Sequence, residues 1–191
     1  GETTVSCFHL NPEEKFEKIK PEPLNILKST DPRCQKLESA IVFKNGSWVL
    51  PSNYVDFANS HLEQHFKLIP YDYNYQKDKL EALLQFVELV FNFIIENNKP
   101  KLEYNKASKS KNFFLCIACP SKWYKISSSA PAEYKQLIQS RIPVDAIIKE
   151  SDAAFFHFLK TKQFNSTNTR YLVIDYGSST IDYTYCHIKD D

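Results

Sequence analysis

The sequence predicts an α/β fold in which helices flank a mixed β-sheet. Two observations support this prediction: apolar runs of strand length alternate with segments whose apolar residues recur at helical spacing, and the internal strand runs are continuously apolar. Continuously apolar strands are typical of sheets covered on both faces, and the alternation of strand and helix is typical of layered α/β folds. An antiparallel first part is expected to add further strands to this sheet.

The first part of the chain is predicted to be mainly extended. Residues 2–10, ETTVSCFHL, are predicted to form a strand, and the proline-containing segment after it is predicted to be a loop or an edge strand. In residues 39–50, SAIVFKNGSWVL, the dipeptide Asn45-Gly46 separates two apolar runs, which predicts a hairpin with a two-residue turn. We predict a helix over residues 52–66.

The middle of the chain is predicted to alternate between helices and buried strands. A long helix is predicted over residues 76–97, because apolar residues recur at helical spacing and Pro100 follows. Residues 104–112 are predicted to be a polar loop. The later elements are a buried strand over 113–119, a helix from near Pro131, a buried strand over 144–148, and a helix over 151–162 capped by Ser151 or Asp152.

The last part of the chain is predicted to begin a second sheet. A polar linker, residues 164–170, leads into YLVIDYGSSTIDYT, residues 171–184. Because an isolated two-stranded hairpin is only marginally stable, we predict a first lobe over residues 1–163 and, over residues 171–191, the first hairpin of a truncated second lobe. The chain contains no methionine, so we expect it to be a piece of a longer protein.

Composition excludes several classes of partner. The 24 basic and 23 acidic side chains nearly cancel, so neither nucleic acid nor an acidic membrane is expected as a partner. The most apolar segment, residues 80–95, contains Glu81, Gln85, Glu88 and Asn92 and is too short and too polar to span a bilayer. Five irregularly spaced cysteines and the lack of a secretory signal lead us to expect reduced thiols and a cytoplasmic protein.

Glycine is scarce, and one glycine lies in the corner with the strongest functional signal. Average usage would give about 13 glycines, whereas this chain has three, Gly1, Gly46 and Gly177. Asp175 ends a predicted buried strand, and Gly177 allows a sharp turn in which backbone N–H groups form an anion-binding nest. The corner continues with Ser178, Ser179, Thr180 and Asp182.

This corner has two interpretations. It contains no lysine, so the charge of a phosphate would be met by a metal ion whose waters Asp175 and Asp182 orient, and magnesium prefers such oxygen ligands. The same residue types are also common in ordinary turns. The amino terminus, GETTVS over residues 1–6, favours the phosphate interpretation, because it again places a glycine before hydroxyl residues and a strand.

These repeated corners resemble the two phosphate hairpins of the actin-like and heat-shock-chaperone ATPase superfamily, most closely those in the nucleotide-binding domain of the seventy-kilodalton chaperones. Residues 171–184 resemble the second hairpin, usually Asp-x-Gly-Gly-Gly-Thr-x-Asp, and GETTVSC, residues 1–7, resembles the end of the first, usually Asp-x-Gly-Thr-Thr. CIACPSKW, residues 116–123, and AIIKESDAAFFHFL, residues 146–159, are similar to two further chaperone segments. The resemblance implies a ribonuclease H-like lobe of the actin type, with ATP and magnesium as cofactors.

The resemblance also implies roles for individual residues. Glu150 matches a glutamate near the metal-bound water, Asp175 an aspartate that helps to hold magnesium or the attacking water, and Asp182 the second acidic residue of the hairpin. The phosphates would be contacted by Gly1, Glu2, Thr3, Thr4, Gly177, Ser178, Ser179 and Thr180. The implied chemistry is phosphoryl transfer to water, with lobe closure as its output and a protein client or co-chaperone as partner.

Three departures from that family bear on hydrolysis. Ser178 and Ser179 replace glycines, and Ser151 replaces the proline that follows the glutamate. In FKLIP, residues 66–70, Phe66 takes the register of the catalytic lysine, and Lys67, one place later, is the candidate for that role. Two alternatives to a chaperone-like ATPase therefore stay open: a non-hydrolysing scaffold or binding module, and an actin-type filament or partition ATPase.

Two other spacings are interpreted structurally. Cys116 and Cys119 have a C-x-x-C spacing inside a predicted strand with no second pair, so we expect core thiols rather than a zinc or redox site. His61 and His65 are four residues apart on a predicted helix but lack the intervening glutamate placement of a zinc protease. We expect them to be solvated.

Overall fold

The protein has a mixed α/β structure of small sheets and helices, which confirms the predicted α/β class. This is a computed structural model of the 191-residue chain. The residues that it describes are 2–7, 22–24, 36–51, 60–64, 66, 68–99, 101–161, 170–176 and 181–187.

Four short strands form the first two sheets. Strand β1, Glu2–Thr4, pairs antiparallel with β4, Lys36–Glu38, and β2, Ser6–Cys7, pairs antiparallel with β3, Glu22–Pro23. The predicted strand over residues 2–10 is therefore divided at Val5, whose carbonyl accepts a hydrogen bond from the Leu24 N–H at 2.8 Å. Its residues 8–10 lie outside the described residues.

A three-stranded sheet follows, with β5, Ala40–Lys44, between β6, Ser47–Val49, and β7, His61–Gln64. The predicted hairpin is confirmed, since Asn45 and Gly46 both have positive φ, 52° and 80°, as a type I′ turn requires. The helix predicted over residues 52–66 is wrong at residues 61–64, which form strand β7. This strand pairs with β5 and satisfies the backbone groups on the edge of β5 that β6 leaves open. Residues 52–59 lie outside the described residues.

The long helix is confirmed. A 3₁₀ helix, Pro70–Asn74, precedes α1, Lys77–Asn97, which ends where the Asn98 side chain donates to the Ile94 carbonyl at 2.7 Å. One face of α1 lies in the core, and each large apolar side chain fully buried there contributes roughly 1.5–3 kcal/mol to folding. The buried residues of α1 are Ala82, Leu83, Leu84, Phe86, Val90, Phe91, Ile94 and Ile95.

The polar loop predicted over residues 104–112 instead contains a small hairpin of β8, Tyr104–Asn105, and β9, Ser110–Lys111. The Asn105 side-chain oxygen accepts hydrogen bonds from the N–H groups of Ala107 and Ser108, which stabilises the turn. Side-chain support of this kind lets a polar segment form a hairpin without an apolar strand pattern.

The hairpin is also attached to residues 143–145. The ammonium group of Lys111 donates to the Pro143 carbonyl at 2.7 Å and to the Asp145 carboxylate, and that carboxylate also accepts the Leu115 N–H at 2.7 Å. Burial alone would raise the pKa of Asp145, but these hydrogen bonds outweigh it and hold that pKa below the ordinary carboxyl value.

A parallel pair of strands and three helices complete the body of the protein. Strand β10, Cys116–Cys119, pairs parallel with β11, Ala146–Lys149. Between these strands lie α2, Trp123–Ile126, and α3, Ala130–Gln139, and after them comes α4, Glu150–Thr161. Both strands are shorter than predicted. One of their faces is largely exposed, so the prediction of strands covered on both faces is wrong for the described residues.

The core lies between α1, α3 and the adjacent sheets. Trp123 and Tyr134 pack edge to face with ring centroids 4.9 Å apart. At the end of α3, Arg141 connects this helix to α1, because its guanidinium donates to Glu81 at 3.0 and 3.1 Å and to Glu88 at 3.2 Å. Partly exposed ion pairs of this kind contribute up to about 1 kcal/mol each.

The last described element is a long hairpin of β12, Arg170–Tyr176, and β13, Ile181–His187. The hairpin predicted near the carboxyl end is therefore present, whereas the division into lobes stays a prediction. It contacts α4 through the rings of Tyr171 and Phe155, whose centroids are 5.8 Å apart. None of the helices among the described residues has the length and apolar content that crossing a bilayer requires.

Candidate functional site

The candidate site lies where β10 and β11 end. Because the two strands are parallel, their carboxyl ends lie side by side, and the residues that follow them, 120–124 and 150–152, meet at one edge. In α/β proteins, ligands bind preferentially in the crevice outside the carboxyl ends of parallel strands. This edge contains Glu150, one of the predicted site residues.

Two serines join the segments that follow the strands. The hydroxyl groups of Ser121 and Ser151 lie 2.6 Å apart, and the Ser151 N–H also donates to the Ser121 hydroxyl at 3.3 Å. Ser151 is 2% exposed, so this pair satisfies a polar group that is costly to bury alone. The prediction that Ser151 or Asp152 caps α4 is wrong, since the helix begins at Glu150 and the Ser151 hydroxyl is engaged by Ser121.

A lysine crosses the same edge. The Lys149 ammonium lies 4.8 Å from the centre of the Tyr124 ring and 3.6 Å from a carboxylate oxygen of Asp152. It is thus positioned between α2 and α4. Glu150 occupies the first position of α4, where a negative charge is favourable. The edge therefore contains one ammonium, two carboxylates and a pair of hydroxyl groups, of which that of Ser151 is buried.

The nearby thiols are poor nucleophiles. Burial raises the pKa of Cys119 to about 11, with a further rise from the carboxylate of Glu150, while a hydrogen bond with Tyr124 acts in the opposite direction. Burial also raises the pKa of Cys116. Three positions apart on one strand, the two thiols are directed to opposite faces, and Cys116 is exposed while Cys119 is buried. The expectation of core thiols is confirmed for Cys119 only.

The second group of predicted site residues lies on the long hairpin. Asp175 and Asp182 are register partners, one step before the last pair of the ladder, Tyr176 and Ile181. The side chains of both aspartates lie outside the described atoms, as do Gly177, Ser178, Ser179 and Thr180 altogether. The structure thus places the two aspartates opposite each other at the end of the hairpin where they were predicted.

The hairpin contacts the strand-end site through its other end. Tyr171, which packs on Phe155 of α4, is the register partner of Cys186, and burial, followed by the charge of Asp152, raises the pKa of Cys186. Asp175 lies four residues beyond Tyr171, about 13 Å along the strand. The described contacts therefore bring the open end of the hairpin, rather than the aspartates, to the strand-end site.

The first predicted phosphate hairpin and the lysine are only partly described. Glu2, Thr3 and Thr4 form β1, with side chains outside the described atoms, and Gly1 and Lys67 lie outside the described residues. Phe66, in the register of the family's lysine, is 7% exposed and packs on Phe86 with ring centroids 5.1 Å apart. The Tyr73 hydroxyl donates to the Phe66 carbonyl, so this position belongs to the core.

Other candidate features lie elsewhere. A groove of about 340 Å³ lies between the 3₁₀ helix and α3, and no predicted site residue lines it. Among the described residues there is no group of three or more metal-binding His, Cys, Asp or Glu side chains. His61 lies on strand β7 rather than on the predicted helix, and it is exposed, with its Nε2 atom 2.6 Å from a carboxylate oxygen of Glu63. His65 lies outside the described residues.

Sequence reasoning missed three residues of the strand-end site: Ser121, Tyr124 and Lys149. A hydroxyl residue directly after a strand that ends in proline is the signal that could have indicated Ser121. Comparison with known proteins adds no assignment, because no family model, no curated protein and no solved structure matches this chain.

Proposed function

We propose that this chain is part of a nucleotide-binding domain of the actin-like, chaperone type, which binds ATP and magnesium. The observation that supports the proposal most is the pairing of Asp175 with Asp182, one step before the last pair of a hairpin whose strands are separated by the sequence Gly-Ser-Ser-Thr. A hairpin that holds two acidic residues beside a turn rich in backbone and hydroxyl donors is suited to a metal-bound phosphate.

The strand-end site supports the same proposal from the body of the protein. Glu150 begins α4 at the carboxyl edge of a parallel pair, the position at which the resemblance places a carboxylate near the metal-bound water. Ser121 and Ser151 fix this edge, and Lys149 adds a positive charge that the predicted phosphate turn lacks. In this proposal the Lys149 ammonium binds a phosphate oxygen when the strand-end site and the Asp175–Asp182 end of the hairpin come together around the nucleotide.

The donor set fits magnesium by its chemistry. Asp175, Asp182 and Glu150 offer carboxylate oxygens, which this ion prefers to thiols and imidazoles. Magnesium would be held by Asp175 and Asp182 and would neutralise phosphate charge. A cytoplasmic location belongs to the same proposal and is supported by free thiols at Cys7, Cys116, Cys119 and Cys186.

One observation favours a second candidate, nucleotide binding without hydrolysis. Phe66 occupies the register of the catalytic lysine and is held in the core by contacts with Phe86 and Tyr73. The position that carries a lysine in the family is therefore filled by a buried aromatic ring. Lys67 and Lys149 are two candidates for a catalytic ammonium group. In this second candidate the protein serves as a nucleotide-dependent binding module.

The experiment is titration of a fluorescent ATP analogue, with magnesium, into the protein that carries this chain. We expect saturable binding that Asp175→Asn weakens at least about tenfold, which corresponds to loss of a charge-assisted contact of about 1.4 kcal/mol. Asp78→Asn, at the exposed start of α1, is the matched control and should leave the affinity unchanged.

Two results would decide between the candidates or remove both. Steady ATP turnover that Asp175→Asn abolishes would select the ATPase, and binding without turnover would select the non-hydrolysing module. The proposal fails if no nucleotide binds, or if both variants bind as the unmodified protein does. We also expect the 191-residue chain alone to bind ATP much more weakly, because the resemblance places the adenosine contacts in the second lobe.

A further inference from the structure

The start of α4 depends on a contact from another segment of the chain. Strand β11 ends at Lys149 and α4 begins at Glu150, so no loop residue separates the strand from the helix. The first N–H groups of a helix have no acceptor within the helix. For Ser151, the second residue of α4, the acceptor is the Ser121 hydroxyl at 3.3 Å. Ser121 thus takes the role of a capping side chain from 30 positions earlier in the sequence.

The two hydroxyl groups strengthen this contact. Their oxygens lie 2.6 Å apart, and Ser151 is 2% exposed, so water has little access to its hydroxyl group. Loss of the Ser121 hydroxyl would take this partner from a buried polar group, which is costly. A proline, which the resembled family has at the position of Ser151, has neither an N–H nor a hydroxyl and could make neither contact. The serine pair is therefore specific to this chain.

Ser121 is held in place by its own turn. The Trp123 N–H donates to the Pro120 carbonyl at 3.1 Å. The Tyr124 N–H donates to the Ser121 carbonyl at 3.3 Å. Because Trp123 is 1% exposed and packs on Tyr134, the turn is anchored in the core. The Ser121 hydroxyl is therefore a fixed point to which the start of α4 is attached.

Glu150 is the residue directly before this attachment. Its side chain is half-buried at the edge where the parallel strands end. Burial raises the pKa of Cys119 and of Tyr134, and the charge of Glu150 adds to both increases. The Glu150 carboxylate thus lies against the body of the protein, and its place there depends on the backbone at the start of α4.

We propose that Ser121 is a positioning residue, which fixes the backbone of Ser151 and thereby sets where the Glu150 carboxylate lies in the strand-end site. The proposal rests on the proposed function, in which Glu150 lies near a magnesium-bound water. Ser121 contacts neither the metal nor the nucleotide and acts through Glu150. Groups that orient the surroundings of a bound metal change its affinity about tenfold or more.

The test is titration of a fluorescent ATP analogue into the protein that carries this chain, once with magnesium and once with a chelator. We expect Ser121→Ala to reduce about tenfold the gain in affinity that magnesium provides, and to leave the magnesium-free affinity unchanged. A general distortion of the site would lower both affinities alike. Ser121→Thr keeps the hydroxyl group and should retain most of the gain.

Two further variants test the route through Glu150. Glu150→Gln should reduce the same gain, and Ser121→Ala should add little to this loss in the double variant, because the two residues act as one unit. Ser151→Ala removes the hydroxyl pair from its other side but keeps the N–H, so it should reduce the gain less than Ser121→Ala does.

The matched control is Ser127→Ala. The hydroxyl groups of Ser127 and Ser129 lie 2.8 Å apart at the surface of the next turn. This variant therefore removes a hydroxyl pair of similar geometry away from the strand ends and should change neither affinity. Circular dichroism of each variant establishes that the chain is folded.

Three results would overturn this proposal alone and leave the proposed function intact. These are a magnesium gain that Ser121→Ala leaves unaltered, an equal loss of affinity with and without magnesium, and an effect that adds fully to that of Glu150→Gln. If the unmodified protein binds no nucleotide, or gains no affinity from magnesium, the proposed function fails and the role of Ser121 fails with it.

Discussion

The body around α1 and the long hairpin are stabilised in different ways. Strands β5 and β6 have only five and three residues, yet Ile41 of β5 is fully buried and the sheet packs on α1. Strands β12 and β13 have seven paired residues each, more than the other pairs among the described residues, but most of their apolar side chains lie in solvent. The length of a hydrogen-bonded ladder is therefore a poor measure of how much a hairpin contributes to stability.

The largest expected difference between the two regions is in their response to truncation of an isoleucine. Ile41→Ala should lower the free energy of unfolding by about 3 kcal/mol, because it removes three buried carbon atoms and leaves a cavity. Ile174→Ala, in β12 at a position that is 55% exposed, should change it by less than about 0.5 kcal/mol. Urea unfolding measures both, and equal losses would mean that the hairpin belongs to the same core.

A smaller effect is expected at the turn that forms the β5–β6 hairpin. Gly46 has φ of 80°, and a Cβ atom there would meet nothing within 4 Å, so Gly46→Ala adds backbone strain without a clash. We expect a loss of about 1 kcal/mol in unfolding free energy. Asn45→Gly, the control at the neighbouring turn position, should change stability by less than about 0.5 kcal/mol, and a larger loss there would point to a role for the Asn45 side chain.

The smallest expected effect depends on pH. The folded-state pKa of Asp145 is lowered, so this carboxylate stabilises the body above its unfolded pKa of about 3.9, and that contribution is lost as pH falls through the folded value. Asp145→Asn should therefore lower the urea midpoint at pH 7, and the difference from the unmodified protein should shrink below about pH 4. A difference that does not change with pH would show that the asparagine disturbs packing rather than the contact with Lys111.

Local signals predicted the elements that depend on local chemistry. The Asn45-Gly46 turn and α1 follow from turn preference and helical spacing, and both are observed. Strand β7 was missed because its partner β5 lies about twenty residues earlier and outweighs its own propensity. Both faces of β10 and β11 were expected to be covered, but one face is largely exposed. A continuous apolar run in a sequence does not show whether another element packs on each face of the strand.

The site was predictable only in part for a similar reason. Glu150 was proposed from the family resemblance and the two aspartates from the residues beside them, whereas Ser121 and Ser151 meet across 30 positions of sequence. Lys149 acquires its environment from Tyr124 on another helix. Such contacts depend on how parallel strands align, which a single sequence does not specify.

The edge-to-face packing of Trp123 on Tyr134 has a spectroscopic consequence. Trp123 is 1% exposed, and its indole N–H has no hydrogen-bond partner among the described residues, whereas Trp48 is partly exposed beside Phe43. An excited indole that is shielded from water emits at shorter wavelength than one that is hydrated. The two tryptophans are thus expected to emit at different wavelengths. Trp123 reports on the start of α2, beside the strand-end site, and Trp48 reports on the β5–β6 hairpin, so the two regions can be followed separately without any added label.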